Sequence, residues 1–170
     1  FGLALRLASW FQGILPRGEG RFRHLPQFLS ALGAGRAIPE IAPRFLRKIL
    51  PEHSPATGTA KHRVGFFSGC ATEYIFPEIG QMIVNVLGNL DCEVVFDRRQ
   101  GCCGAPVYLS GDFRTARKMA ARNVEAFADC DYVVTGCATC GSGLREYPTY
   151  LAETAEEKDR FEHFAVQVRD

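Results

Sequence analysis

Two adjacent cysteines lie between two glycines near the middle of the chain, in the segment "QGCCGAP". The chain contains 7 cysteines, an odd number. Five of them follow short apolar segments that are typical of buried strands: Cys70, Cys102, Cys103, Cys137 and Cys140. Because the opening residues lack the features of a secretory signal, metal or redox chemistry is favoured over a disulfide framework.

The number of thiols bears on the kind of metal. A structural zinc ion takes four ligands, whereas an iron–sulfur cluster has several irons and therefore several positions for thiolates. Gly101 and Gly104 permit the tight turn that would let Cys102 and Cys103 serve one polynuclear centre. Iron and sulfide are therefore our first interpretation, and a zinc site that uses four of the five thiols is the alternative.

Other interpretations concern smaller sets of thiols. The segment "CATC" could be a thioredoxin-like dithiol, but Cys70, Cys102 and Cys103 would then have no role. A disulfide between the neighbouring Cys102 and Cys103 would be strained. Cys92 and Cys130 precede strands rather than follow them, and we expect both to be small buried hydrophobic residues.

Strand and helix patterns alternate from residue 63 onward. The segments "RVGFFSG", "CEVVFD" and "DYVVTG" predict buried strands. Between and after them, helices are predicted in "PEIGQMIVNVLGNL", which begins with Pro77, in "SGDFRTARKMAARNVEAFAD", which Ser110 or Asp112 can cap, and in "GSGLREYPTYLAETAEEKDRFEHFA", with an interruption near Pro148. The fold class is therefore α/β, with a small parallel sheet flanked by helices in a Rossmann-like βαβαβα order. No GxGxxG follows the first strand, so a dinucleotide site is not indicated.

This order places the five thiols together. The carboxyl ends of parallel strands share one edge of the sheet. One thiol follows the first strand, two follow the second, and two follow the third. We therefore predict that all five lie on one rim, and that Cys92 and Cys130 lie on the opposite one.

The rim also needs groups that offset the negative charge of several thiolates. Each cysteine turn leads into a helix, so N-terminal amides can donate to sulfur. We expect Gly69, Gly136 and Gly141 to allow that close approach. Arg98 and Arg99, in the loop before the paired cysteines, are further candidates for compensating charge.

The first sixty residues differ from the rest. The apolar segments "FGLALRLASWFQGIL", "HLPQFLSALG" and "IAPRFLRKIL" are separated by prolines, and "PEHSPATGTAKH" follows them. This pattern predicts an N-terminal helical appendage and linker over residues 1–60, followed by a cysteine-rich domain over residues 61–170. We expect the apolar faces of these helices to pack on the main domain or on a partner. The first residue is Phe1, so we expect a piece of a longer chain.

The overall composition excludes several classes. The 170 residues are 46% hydrophobic and 23% charged, which is typical of a globular protein and not of a disordered one. The net charge of +1 gives no case for nucleic-acid binding. No apolar span is long enough to predict a transmembrane helix.

The cysteine spacing resembles that of the cysteine-rich CCG domain of iron–sulfur oxidoreductases. The segments "FFSGC", "CCGAPVYLSGD", "ARKMAARNV" and "CATCG" occur in the family's order over about residues 63–150. This family includes the cysteine-rich subunit of heterodisulfide reductase, iron–sulfur subunits of glycolate oxidase and anaerobic glycerol-3-phosphate dehydrogenase, and lactate-utilisation proteins. The proline-broken appendage is most similar to the glycolate oxidase type.

The resemblance implies a cofactor and its ligands. In the heterodisulfide reductase branch the motif cysteines bind a noncubane 4Fe–4S cluster. The corresponding ligands here would be Cys70, Cys102, Cys103, Cys137 and Cys140. Family members usually carry two such domains, and the glycolate oxidase type adds a ferredoxin-like iron–sulfur region, whereas this chain has one domain.

The resemblance also implies a function. The domain would relay electrons from a flavoprotein dehydrogenase subunit that oxidises a 2-hydroxy acid such as glycolate or lactate. The location would be cytoplasmic, peripheral at the inner face of the membrane. Two alternatives remain open: a heterodisulfide-reductase-like catalytic cluster domain, and a zinc-stabilised subunit-interaction module.

Overall fold

The N-terminal part of the chain is only partly helical. The computed structural model describes residues 2–15, 22–24 and 37–170. Its first elements are helix α1 (Gly2–Phe11), a 3-10 turn (Gln12–Ile14), strands β1 (Phe22–His24) and β2 (Ala37–Pro39), a second 3-10 turn (Leu46–Lys48) and strand β3 (His53–Ser54). The strands correct our prediction of helices and turns alone. Such short strands contain too few residues to show a hydrophobic period. Strand β1 pairs antiparallel with β2, and the two strands are not adjacent in the sequence.

Two expectations about this part have different outcomes. The predicted helical segment "HLPQFLSALG" lies outside the described residues, apart from His24 at the end of β1. Large apolar side chains of helix α1 are exposed, with Leu3 74% and Trp10 78% accessible to solvent. Ile14, in the 3-10 turn that follows, is 79% accessible. Of the two packing surfaces that we expected for this helix, the main domain does not cover these side chains, and packing on a partner stays a prediction.

The remainder of the chain follows the predicted alternation. Its elements are β4 (His62–Phe66), α2 (Gly69–Tyr74), α3 (Pro77–Asn89), β5 (Cys92–Val95), α4 (Ala105–Leu109), α5 (Phe113–Ala126), β6 (Tyr132–Val134), α6 (Ala138–Arg145), α7 (Tyr147–Tyr150), α8 (Ala155–Gln167) and β7 (Val168–Arg169). Pro77 begins α3, as predicted. Asp112 caps α5 by accepting a hydrogen bond from the Thr115 amide at 3.0 Å.

The sheet confirms the α/β class and adds two strands to it. Its order is β3-β5-β4-β6-β7, with β4 parallel to both β5 and β6, and β7 parallel to β6. Strand β3 pairs antiparallel with β5 at one edge. Strands β3 and β7 have two residues each, too few for a hydrophobic period to reveal them.

Helices cover both faces of this sheet. On one face α3 packs with the 46–50 segment over a cluster that includes Leu46, Val84 and Phe96. On the other, a larger cluster joins strand residues such as Val133 to Phe127 and other residues from α4 to α8. Packing therefore crosses residue 60, and the division there stays a prediction. Within the described ranges, no helix combines the length and apolar character that crossing a membrane requires.

Candidate metal centre

The three cysteine-bearing turns meet at the carboxyl rim of the sheet, as predicted. Cys70 is in the first turn of α2 after β4, the paired cysteines precede α4 after β5, and Cys137 is the N-cap of α6 after β6. A Cβ placed on Gly69 would lie only 2.8 Å from Sγ of Cys140. The turn after β4 therefore touches the first turn of α6.

The second turn joins the same group. A Cβ placed on Gly143 of α6 would lie 3.7 Å from Sγ of Cys103. The thiols of Cys102 and Cys103 lie close enough to shift each other's pKa, and the thiol of Cys140 lies close enough to raise that of Cys103. The Cys103 thiol, together with burial, raises the pKa of the Cys102 thiol. The pKa of Cys103 is raised to about 11, because its contact with Cys140 and its burial outweigh the lowering effect of Cys102.

The other two cysteines of the predicted ligand set, Cys70 and Cys137, lie on the outer part of the rim. Cys70 is exposed, and Cys137 is half-buried against the larger core cluster. Burial raises the pKa of the Tyr74 hydroxyl, which belongs to the same helix as Cys70. Among the described residues, no three His, Cys, Asp or Glu side chains are arranged as a single metal ion would require.

A backbone amide reaches sulfur at the start of α4. Gly104 has a φ of +84°, a left-handed conformation that favours glycine. This conformation lets its N–H donate to Sγ of Cys102 at 3.4 Å. The neighbouring Ala105 amide has a lowering effect on the pKa of Cys103. The expected amide contact with sulfur is therefore confirmed at this turn.

Three other glycines do not have the role that we predicted. No atom lies within 4 Å of a Cβ placed on Gly101, and its φ is not positive. A Cβ on Gly136 would lie 2.7 Å from Ile83, and one on Gly141 would lie 3.0 Å from Asp170. Close packing with those side chains, and not an approach to sulfur, explains these two glycines.

The two arginines before the paired cysteines, Arg98 and Arg99, form ion pairs with carboxylates. Arg98 lies 3.6 Å from Glu52. Arg99 lies 2.6 Å from Asp97 and 3.6 Å from Glu125. The prediction that they offset thiolate charge is wrong, because carboxylates close to each guanidinium already pair with it.

The two remaining cysteines are buried on the opposite rim. Cys92 opens β5, where it pairs with His62 at the start of β4. Cys130 precedes β6, and burial raises its pKa to about 11. Both are small buried residues, as predicted.

Buried polar side chains behind the paired cysteines were missed in the sequence. Asn123 of α5 and Tyr147 of α7 are both fully buried, and their polar atoms bond to the backbone of the turn. Asn123 offered a signal, since it lies on the same face of α5 as Ala116, Ala120 and Phe127, where an apolar residue is expected. Tyr147 offered none, because tyrosine is common in apolar cores.

Gln100 links two of the cysteine turns. This side chain is 3% exposed. Its Nε2 donates to the Phe66 carbonyl at 3.0 Å, and its Oε1 accepts from the Ser68 amide at 2.9 Å. The loop that leads to Cys102 is therefore tied to the loop that leads to Cys70.

Comparison with known proteins places this site in a family context. Residues 64–145 match the CCG family, which is described as a cysteine-rich domain. The chain is 32% identical, over 156 residues, to the probable glycolate oxidase iron-sulfur subunit of Bacillus subtilis (strain 168). That alignment covers 91% of this chain and 35% of the relative.

Two further relatives carry related descriptions. Lactate utilization protein A of Geobacillus kaustophilus (strain HTA426) is 40% identical over 86 residues, which cover 51% of this chain and 36% of the relative. An uncharacterized iron-sulfur protein of Methanococcus maripaludis is 32% identical over 131 residues, which cover 76% of this chain and 26% of the relative. This chain thus spans well under half the length of these relatives, and no solved structure matches it significantly.

Proposed function

We propose that the protein is an iron–sulfur electron-transfer component of an oxidoreductase, since its residues 64–145 match the CCG family of cysteine-rich domains. The observation that carries this proposal is the meeting of three cysteine-bearing turns on one rim of the sheet. The relatives named as a glycolate oxidase iron-sulfur subunit and as lactate utilization proteins support it.

We assign five thiols as ligands of a 4Fe–4S cluster, noncubane as in the heterodisulfide reductase branch: Cys70, Cys102, Cys103, Cys137 and Cys140. The donor set fits this group, since thiolate is the ligand type that iron–sulfur clusters take. A zinc ion bound by four of the five thiols is the alternative, and metal analysis separates the two. Ligation would require the protonated thiols to lose their protons as metal binds.

The residues around the thiols would tune such a cluster. The amide of Gly104 donates to the sulfur of Cys102 and would favour the more negative state, which influences the reduction potential. Buried Cys103 and Cys140 keep one side of the site away from water, whereas exposed Cys70 leaves the other side open to the surface. This asymmetry suits electron exchange with a partner that docks over Cys70.

The proposal extends to partners and location. When bound, the cluster would accept and donate single electrons, while hydride chemistry would belong to a flavin on a partner subunit. That partner would be a flavoprotein dehydrogenase that oxidises a 2-hydroxy acid such as glycolate or lactate, and a ferredoxin-like region would pass electrons toward a quinone. All seven cysteines are free thiols, which fits a reducing cytoplasmic location, peripheral at the inner face of the membrane.

Replacing one ligand tests the assignment. Cys103→Ser should abolish the EPR signal of the cluster after anaerobic reconstitution, because serine is a poor substitute for thiolate on iron. The far-UV circular dichroism spectrum should keep its helical signal. The matched control is Cys92→Ala, which removes a buried thiol from the opposite rim and should leave iron, sulfide and EPR signal unchanged.

The other outcomes decide between the alternatives. A Cys103→Ser protein with an unchanged EPR signal would remove Cys103 from the ligand set. Stoichiometric zinc without iron or sulfide in the anaerobically prepared wild-type protein would contradict the electron-transfer function and favour a zinc-stabilised interaction module. Turnover of a disulfide substrate by the cluster-loaded protein would favour a heterodisulfide-reductase-like enzyme.

A further inference from the structure

We propose that Asn123 and Tyr147 are positioning residues that fix the backbone of the Cys102–Cys103 turn and so set how its two thiols meet a cluster. This inference rests on the proposed iron–sulfur function for its consequence, but the bracing itself can be measured without metal. Neither side chain offers sulfur or charge to the rim. Their role is argued from the atoms that they contact.

Asn123 holds the first half of the turn. Its Oδ1 accepts from the Gly101 amide at 2.9 Å. Its Nδ2 donates to the Cys102 carbonyl at 2.9 Å and to Oη of Tyr147 at 3.0 Å. The fully buried Asn123 side chain therefore uses both donors of its amide group and its oxygen. Asn123 lies in the second half of α5, so its hydrogen bonds attach the turn to a regular helix.

Tyr147 holds the second half. Its hydroxyl donates to the Cys103 carbonyl at 2.8 Å while it accepts from Asn123. The ring is fully buried and stacks on Phe164, with ring centres 5.9 Å apart and planes within 10° of parallel. The Tyr147 ring also packs against the ring of Phe161, with the two ring centres 5.9 Å apart. The ring cannot tilt without disturbing the packing of α8, so the hydroxyl position is set by the core.

Together these bonds fix three successive residues of the turn. Gly101, Cys102 and Cys103 are each held by one backbone atom. Gly101 lies in open space, so steric contacts do not fix the backbone there. In a buried low-dielectric site these hydrogen bonds are strong, and an unpaired polar group is costly. The two side chains therefore select one conformation of a glycine-flanked turn that could otherwise adopt several.

We call the hydrogen bonds from Asn123 and Tyr147 to the backbone of the turn the brace. Removing the Tyr147 hydroxyl tests the brace with little change in packing. Tyr147→Phe keeps the stacked ring and removes the donor to the Cys103 carbonyl. Asn123→Asp keeps an acceptor for Gly101 and removes both donors. The matched control is Tyr108→Phe, because Tyr108 is also buried and its hydroxyl donates to Glu146 at 2.6 Å, away from the turn backbone.

Two measurements on the full chain separate the brace from the cofactor. In metal-free protein, iodoacetamide labelling mapped by mass spectrometry should modify Cys102 and Cys103 several-fold faster in Tyr147→Phe and Asn123→Asp than in wild type or Tyr108→Phe. In reconstituted protein, the two brace variants should release iron to a chelator about 10-fold faster, the size of effect expected when a group supporting a metal ligand is lost. Their EPR line shape and midpoint potential should shift as well.

The outcomes are distinguishable. Equal labelling rates and equal iron release in Tyr147→Phe and Tyr108→Phe would overturn the brace. If Asn123→Asp does not fold, Tyr147→Phe decides alone. A wild-type protein that takes up no iron and sulfide would defeat the proposed function, while the labelling comparison would still decide whether the turn is held by these two residues.

Discussion

The contact between the turn after β4 and the first turn of α6 depends on the absence of a side chain at Gly69. Gly69 has a φ of +64°, in the left-handed region. The space that its Cβ would occupy lies 2.8 Å from Sγ of Cys140. Glycine is required here for two independent reasons, backbone conformation and contact. Cys70, the second residue of α2, thus lies beside the first turn of α6.

Substitution at this position should weaken the protein even without metal. Gly69→Ala should lower the free energy of unfolding by about 1–3 kcal/mol, because a left-handed non-glycine residue is strained and the methyl group displaces the Cys140 sulfur. Urea unfolding of metal-free protein measures the change. Gly101→Ala is the control: its φ is not positive and its Cβ would meet no atom within 4 Å, so we expect a change within about 0.5 kcal/mol. Equal losses in the two variants would contradict this account.

At the scale of elements, helix α2 is held from the N-terminal part of the chain. Arg47, in the 3-10 turn before β3, donates from Nε to Oε1 of Glu73 on α2 at 2.6 Å. Glu73 is 1% exposed, and its Oε2 has no hydrogen-bond partner among the described residues. The rings of Phe45 and Tyr74 meet edge to face at 5.0 Å beside this pair. The helix that carries Cys70 therefore depends on a segment outside the cysteine motif.

The buried carboxyl gives this contact a pH dependence. Burial raises the pKa of Glu73 above its ordinary value of 4.5, against the lowering effect of Arg47. The folded state then holds this proton more tightly than the unfolded state. Its contribution to stability is present below pH 4.5 and is lost as the pH rises through the raised pKa.

Glu73→Gln isolates that dependence. Glutamine has nearly the same shape and does not titrate, so the free energy of unfolding of the variant, relative to wild type, should increase as the pH rises above 4.5. Urea unfolding of metal-free protein at a series of pH values tests it. A difference that stays constant, or that decreases with pH, would show that the Glu73 pKa is not raised in the folded protein.

At the scale of the whole molecule, residues on both sides of position 60 share one core. Leu46 is fully buried, and it packs with Phe66 of β4 and Val84 of α3. Strand β3 extends the sheet beyond β5. The segment before the predicted linker thus covers one face and one edge of the sheet that positions the cysteines.

A core substitution in that segment should affect the whole domain. Leu46→Ala should lower the free energy of unfolding by about 2–5 kcal/mol in a single cooperative transition, because it leaves a cavity against the sheet. Leu109→Ala, at a position 77% exposed, is the control and should stay within about 0.5 kcal/mol. A loss at Leu46 no larger than that at Leu109 would mean that the N-terminal part is only loosely attached to the sheet.

The sequence alone determined the alternation of elements and the rim on which the three cysteine-bearing turns meet. Hydrophobic periods are local, and a parallel sheet places all its carboxyl ends on one edge whatever the details of packing. The glycine-flanked turn was visible for the same reason. The left-handed backbone conformation at Gly104 concerns a single residue, so the need for glycine there can be inferred without knowing which residues pack around it.

Only the tertiary structure decided what holds those thiols in place. The partners of the turn come from far along the chain, since Asn123 lies 22 residues after Gly101 and Tyr147 lies 44 residues after Cys103. Local patterns carry no information about such contacts, and the same limit hid strand β3 and two distant carboxylates, Glu52 beside Arg98 and Glu125 beside Arg99. Which polar group meets which depends on the packing of whole helices, and that packing is set by the complete core and not by any one segment.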